Sequence, residues 1–130
     1  MDKSKVNFSK PMLIQSVAFK EVFLRMDGKG ISTACDAGAG KVNCQRSMAP
    51  TGAFKVQKQT DGTFTIESSK YPGVFLRMDG NGIHAFAGSG SGRVNCQFGA
   101  SAWERFKLHE QSDGSYTIES AAFPNVFLRM

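Results

Sequence analysis

The sequence predicts an all-β fold in which three copies of one unit surround a common axis. Three observations carry this. VFLRMDG stands at Val22–Gly28 and again at Val74–Gly80, and VFLRM returns at Val126–Met130, so the copies are spaced 52 residues apart. Without a gap, Leu13–Phe64 slides onto Thr65–Tyr116 with about 22 of 52 positions identical, and such self-similarity outranks other signals. No stretch shows helical spacing with caps, whereas short alternating segments recur between Gly-rich turns.

The units are 13–64, 65–116 and a partial 117–130, within one domain spanning 1–130. TFTIES (Thr63–Ser68) alternates polar and apolar residues, the pattern of a half-buried strand. VFLRM is aromatic and branched, with Pro-Gly before its second copy and Asp-Gly after it, which is a strand between turns. GIHAFAG and RVNCQF read as shorter strands flanking the glycines. ERFKLHEQ closes the unit, and SDGS turns into the next TIES. The third copy holds only TIESAAFPNVFLRM, Thr117–Met130. Residues 1–12 offer a closing piece. KVNFS (Lys5–Ser9) precedes MLIQS much as FKVQKQ precedes TFTIES, so it is expected to serve as the last stave of unit three.

A sheet closed on itself removes exposed strand edges. Two and a fraction propeller blades cannot close a ring. Six staves with three hairpins across one end can, and there the chain resembles the β-trefoil superfamily. Phe23–Gly28, FLRMDG, is most similar to the fascin-like form: an aromatic, Leu, a short spacer, then Asp-Gly. The Gln-x-Trp signature of ricin-like lectins is absent.

Residues shared by the copies are expected at the axis: Ile14, Ile66 and Ile118; Val22, Val74 and Val126; Leu24, Leu76 and Leu128; Met26, Met78 and Met130. Phe54 and Phe106, with Phe8 as a third, supply the last strand. Phe23, Phe75 and Phe127 alternate to the other face with Arg25, Arg77 and Arg129. Those arginines form either an anion-binding crown or a repeated structural contact, stacked on an aromatic or paired to Asp27 and Asp79; repetition favours the contact.

Composition narrows the function. Gly is high at 14 and Pro low at 4, which favours tight turns over disorder. No apolar run reaches membrane-spanning length, and MDKSKVNF lacks the apolar stretch of a signal peptide, so a cytoplasmic protein is expected. Cys35, Cys44 and Cys96 are an odd set for disulfides and lack metal-ligand spacing, so they are expected to be small, buried, reduced thiols. The net charge of +5 permits weak attraction to acidic partners and specifies none; nucleic acid is not indicated.

No nucleophile, acid–base pair, metal set or cofactor motif emerges, so no enzyme and no cofactor are expected. His84 and His109 sit in no such motif, and the loops DAGAGK (Asp36–Lys41) and GSGSGR (Gly88–Arg93) do not match a phosphate-binding loop. The units differ informatively: Ser32 becomes His84, Ala34 becomes Phe86, Arg46 becomes Phe98, Thr51 becomes Trp103 and Gln57 becomes His109. Aromatic faces suit sugar rings, and basic side chains add donors. His84, Phe86, Arg93, Phe98, Trp103 and Arg105 are therefore the candidate ligand site, against the alternative that the aromatics fill a cluster under the loop. Glycan recognition ranks first. Resemblance to fascin-like domains implies actin-filament binding or crosslinking as the alternative, and a purely structural or engineered trefoil is the third reading. The unpaired Val126–Met130 edge also invites a strand-exchanged homodimer.

Overall fold

The structure, a computed structural model, describes residues 8–33, 40–46, 53–83 and 92–130. Unit one gives β1 (Met12–Leu13), β2 (Val22–Asp27), β3 (Lys41–Arg46) and β4 (Ala53–Lys58). Unit two repeats them as β5 (Phe64–Ser68), β6 (Val74–Asp79), β7 (Arg93–Phe98) and β8 (Phe106–Glu110). Unit three gives β9 (Tyr116–Ser120) and a single bridge, Phe127 to Glu119. The fold is an all-β trefoil whose third unit is incomplete. The one helical element among the described residues is a 3-10 turn, Ala102–Glu104, and no described helix is long and apolar enough to cross a membrane.

The staves run β1–β4–β5–β8–β9, each antiparallel to the next. The hairpins β2–β3 and β6–β7 have the same register 52 residues apart: Leu24 opposite Cys44, and Leu76 opposite Cys96. Period-two alternation sends Leu24, Met26, Leu76 and Met78 inward, where none is more than 2% exposed. Phe54, Val56, Ile66, Val74 and Phe106 complete the buried centre. The expected axis therefore exists, but unevenly. Ile66 is 1% exposed, whereas Ile14, Ile118, Leu128 and Met130 are only partly buried.

A turn motif leads into every VFLRM segment. The Ser16, Ser68 and Ser120 hydroxyls accept from the backbone N–H of Phe19, Tyr71 and Phe123, each at 3.0 Å. The residue before each valine takes a left-handed φ: Glu21 at 62°, Gly73 at 87° and Asn125 at 70°. Glu67 and Glu119 each accept from the N–H of that residue, Gly73 at 2.8 Å and Asn125 at 2.7 Å. Glycine avoids the Cβ clash there and asparagine tolerates it, while Glu21 bears it.

Three expectations need correction or placing. Of the proposed closing strand Lys5–Ser9, Phe8 and Ser9 lie in a turn, and Lys5–Asn7 fall outside the described residues. Phe8 stands in a turn, whereas Phe54 and Phe106 stand in strands, but it too packs against the core, its ring on Phe64 with centroids 5.3 Å apart. GIHAFAG also falls largely outside the described residues. Of the thiols, Cys96 is buried as expected, but Cys44 is exposed; Cys35 lies outside the described residues. The loop end of the unit-one hairpin covers Cys96. Its sulfur lies 3.7 Å from the Asp27 carbonyl and 3.8 Å from that of Lys41, and Gly40 N–H donates to the Cys96 carbonyl at 2.9 Å. No described hairpin stands in that relation to Cys44. Burial pushes the Cys96 thiol up to about 11, so it stays protonated at neutral pH.

Gly40 admits no side chain. A Cβ there would run into the Cys96 sulfur and come within 2.6 Å of Ile31 Cδ1 and 3.0 Å of the Asp27 carbonyl. Gly40→Ala should cost about 1–3 kcal/mol by overpacking, read as a lower urea midpoint. Gly62→Ala, with nothing within 4 Å and only its φ of 87° against it, should cost less. Equal costs would count against this packing.

Candidate functional site

Alternation decides which of the proposed site residues can meet. On β6, Phe75, Arg77 and Asp79 face away from the axis. Across the hairpin they lie opposite Gln97, Asn95 and Arg93. Val74, Leu76 and Met78 face inward, opposite Phe98, Cys96 and Val94. Phe98 and the outer face on which Trp103 settles are thus on opposite sides of one ribbon. Arg93 begins the strand that Phe98 ends, about 17 Å away at strand rise. His84 and Phe86 lie outside the described residues. The structure therefore sets Phe98 on the opposite side of the ribbon from Arg77 and Trp103, and Arg93 on the same outer face as Asn95 and Gln97.

Trp103 is held by a cluster that the sequence pattern does not announce. The chain leaves β7 through Gly99, whose φ is 86° and whose N–H donates to Gly73 O at 2.8 Å. The 3-10 turn then lays Trp103 and Glu104 over the outer face. The Arg77 guanidinium carbon sits 4.5 Å from the centre of the Trp103 ring, and Phe123 meets that ring edge-on at 5.1 Å. Arg77 Nε is 3.7 Å from Glu104 Oε2, and its terminal nitrogen donates to Asn95 Oδ1 at 3.2 Å. Gln97 Nε2 donates to Glu104 Oε2 at 2.6 Å. Ser101 donates to Glu104 Oε1 twice, from its N–H at 2.6 Å and its hydroxyl at 2.8 Å.

The Arg77 and Glu104 side chains are 3% and 0% exposed. A buried pair is tolerable only when its remaining donors and acceptors are met, as they are for this carboxylate. Of the two readings of the arginines, Arg77 makes the structural contact: it is stacked and paired inside. Unit one lacks the means to copy it. Thr51 stands where unit two has Trp103, and Gly52 where it has Glu104. Arg25 accordingly remains 28% exposed, 3.9 Å from Asp27, and Gln45 Nε2 is buried without a partner.

The remaining candidates are simpler. Phe98 is 37% exposed and lies against Gly73, where a Cβ would come within 2.6 Å of its ring. Arg105 is half-buried; its carbonyl accepts from Ala121 N–H at 2.9 Å. Its charge helps hold Asp61 below the usual carboxylate range, after the larger effect of the hydroxyl and N–H of Thr63. Trp103 keeps partial exposure, and among the described residues its indole N–H has no hydrogen-bond partner.

His109, the other unit-two substitution, makes a link between units. Its Nε2 lies 2.7 Å from Glu119 Oε1. The Asn125 N–H chiefly, and His109 next, hold the Glu119 carboxyl below its ordinary range. Such a carboxylate contributes stability above the unfolded-state pKa of about 4.3 and loses it as pH falls through the lower folded value. Glu119→Gln should flatten the loss of stability below about pH 5 in urea melts; an unchanged acid limb would show that this carboxylate contributes nothing. At neutral pH, Arg77→Met should cost about 3–5 kcal/mol by stranding Glu104. Arg25→Met should cost about 0–1 kcal/mol, and matching values would remove the distinction drawn between the two arginines.

Comparison with known proteins adds the fold and little else. No family model matches the chain, and no curated relative matches it. Among solved structures it is similar to one described as a mosquitocidal holotoxin, with a TM-score of 0.70 at 12% identity. The match covers 91% of this chain and 13% of that one, so the chain corresponds to a small part of the toxin's length.

Proposed function

We propose that the chain is a non-catalytic binding module and that it recognises glycans on the outer face of unit two, around Trp103. The observation that supports this is the state of the tryptophan. Its ring is pinned between a buried guanidinium and Phe123, remains partly exposed, and carries an indole N–H that none of the described residues accepts. A fixed aromatic face with an open donor is suited to a sugar ring: the apolar face of the sugar stacks, and a hydroxyl accepts from the indole. Rigidity matters because a side chain already held in place loses little entropy on binding. Arg105, two residues further along the chain, supplies a second donor. The proposed contact centres on Trp103 and Arg105; Phe98 lies on the other face of the hairpin, and Arg93 shares the outer face with Asn95 and Gln97.

Because Trp103 is the single tryptophan, its fluorescence reports the proposed site directly. A sugar that binds a glycan array should shift or quench that emission saturably. Trp103→Ala should abolish array binding while a thermal melt confirms that the variant is folded. An array without hits, or hits that leave the emission unmoved, would reject the reading.

A further inference from the structure

We infer that the outer face of the unit-one hairpin is a second binding site, which takes the carboxylate of a small molecule between Arg25 and Gln45. Unit two shows what this face is built to hold. The hairpins β2–β3 and β6–β7 share one register. Phe23, Arg25 and Asp27 stand opposite Gln45, Asn43 and Lys41, as Phe75, Arg77 and Asp79 stand opposite Gln97, Asn95 and Arg93. On the unit-two face the Glu104 carboxylate lies between guanidinium and amide. Its Oε2 accepts from Gln97 Nε2 at 2.6 Å and lies 3.7 Å from Arg77 Nε. Unit one repeats the arginine, the asparagine and the glutamine, and none of its described residues brings a carboxylate to Gln45. Residues 47–52, SMAPTG, hold no Asp or Glu, so the segment that delivers Glu104 in unit two has no carboxylate to deliver in unit one.

The donors that remain are open. Gln45 Nε2 is buried, and no described residue accepts from it. Arg25 approaches Asp27 at 3.9 Å with its side chain 28% exposed, and no other described residue pairs with it. A buried donor without an acceptor is costly, so an oxygen that meets it is held more firmly than one bound at an open surface. The charges agree. The outer face of unit two sets Arg77 and Arg93 against Asp79 and Glu104, two of each sign, whereas on the same face of unit one Arg25 and Lys41 are set against Asp27 alone. The negative charge that unit one lacks is the one the ligand brings.

The donor set specifies the group. A neutral hydroxyl would satisfy the amide and leave the guanidinium uncompensated, while a flat carboxylate meets both with charge-assisted hydrogen bonds. Gln45 is only half-buried, so turning its amide about the last side-chain bond carries the nitrogen outward, and Nε2 has no hydrogen bond to break. Asp27 is the competitor for Arg25. It is a weak one, because an exposed pair at 3.9 Å gains little and its Oδ1 already accepts from the Lys29 N–H at 3.1 Å. Uronic acids and acidic amino acids present the same carboxylate. The site lies on a different unit from Trp103 and does not depend on the glycan reading there.

Nitrogen–proton correlation NMR of the full chain reads both donors directly. Sodium glucuronate and sodium glutamate are the probes, glucose is the neutral control, and sodium chloride holds the ionic strength constant. Both carboxylates should shift the Gln45 Nε2 and Arg25 Nε signals saturably, and glucose should not. A response to glucuronate alone makes the ligand an acidic sugar, and a response to glutamate alone makes it an acidic amino acid; either retains the site. Gln45→Leu and Arg25→Met should each weaken binding about tenfold or more while thermal melts show both variants folded. Glutamate should bind without moving the Trp103 emission, which separates this site from the one around the tryptophan. The absence of a saturable shift with either acid overturns the inference. So does sodium sulfate binding as tightly as the carboxylates, or a response that survives both substitutions.

Discussion

Burial of one face of each VFLRM strand at a shared axis is the constraint from which the other features follow. Leu24, Met26, Leu76 and Met78 are at most 2% exposed, and each contributes roughly 1.5–3 kcal/mol by leaving water. A strand has only two faces. Once Leu and Met are committed inward, Phe and Arg must face outward, and the register with the partner strand fixes which residues stand beside them. The identical pairing of β2–β3 and β6–β7 shows the constraint acting twice. What the inner face holds constant, the outer face is free to vary.

That freedom explains why two arginines in the same heptapeptide have different environments. Arg25 reaches past Asp27 toward water, whereas Arg77 is enclosed by Trp103, Glu104 and Asn95. The difference is located entirely in the segment after β7. There the replacement of Thr51 and Gly52 by Trp103 and Glu104 supplies a ring to stack on and a carboxylate to pair with. Neither residue would be stable there alone. A buried glutamate without the guanidinium would be an uncompensated charge, and an exposed tryptophan without a fixed partner would be a poorly defined platform. The polar cluster thus holds in place the one aromatic ring on which the glycan reading rests.

Much of the fold was legible because the repeat translates one strand assignment into two others. The strands TFTIES, VFLRM, RVNCQF and ERFKLHEQ appear within a residue or two of their expected ends. The site was less legible because strand alternation sets which way strand residues face but not where the loop after β7 settles. Applied to β7, it places Phe98 and Asn95 on opposite faces and separates Phe98 from whatever covers Arg77. Glu104 gave no signal of its burial: a glutamate in GASAWER reads as solvated until Ser101, Gln97 and Arg77 are seen around it. The turn motif was written in the sequence as Ser-x-x-aromatic before each valine. Its meaning needed the hydroxyl to be seen accepting from the aromatic residue's N–H.

Burial itself is the property that repetition could not transmit. Ile14, Ile66 and Ile118 are the same residue in the same strand position, and only Ile66 is fully enclosed. Cys44 and Cys96 sit in the same VNCQ opposite the same leucine, one exposed and one buried. A local sequence sets which way a side chain points; the units on either side decide what it meets. Unit two has a complete neighbour on one side and β9 with its turn on the other. Where units one and three face each other, Ile14, Ile118 and Leu128 are only partly buried among the described residues. Local opening costs most where apolar burial and strand pairing coincide, so the molecule is held most firmly around β5, which pairs with both β4 and β8.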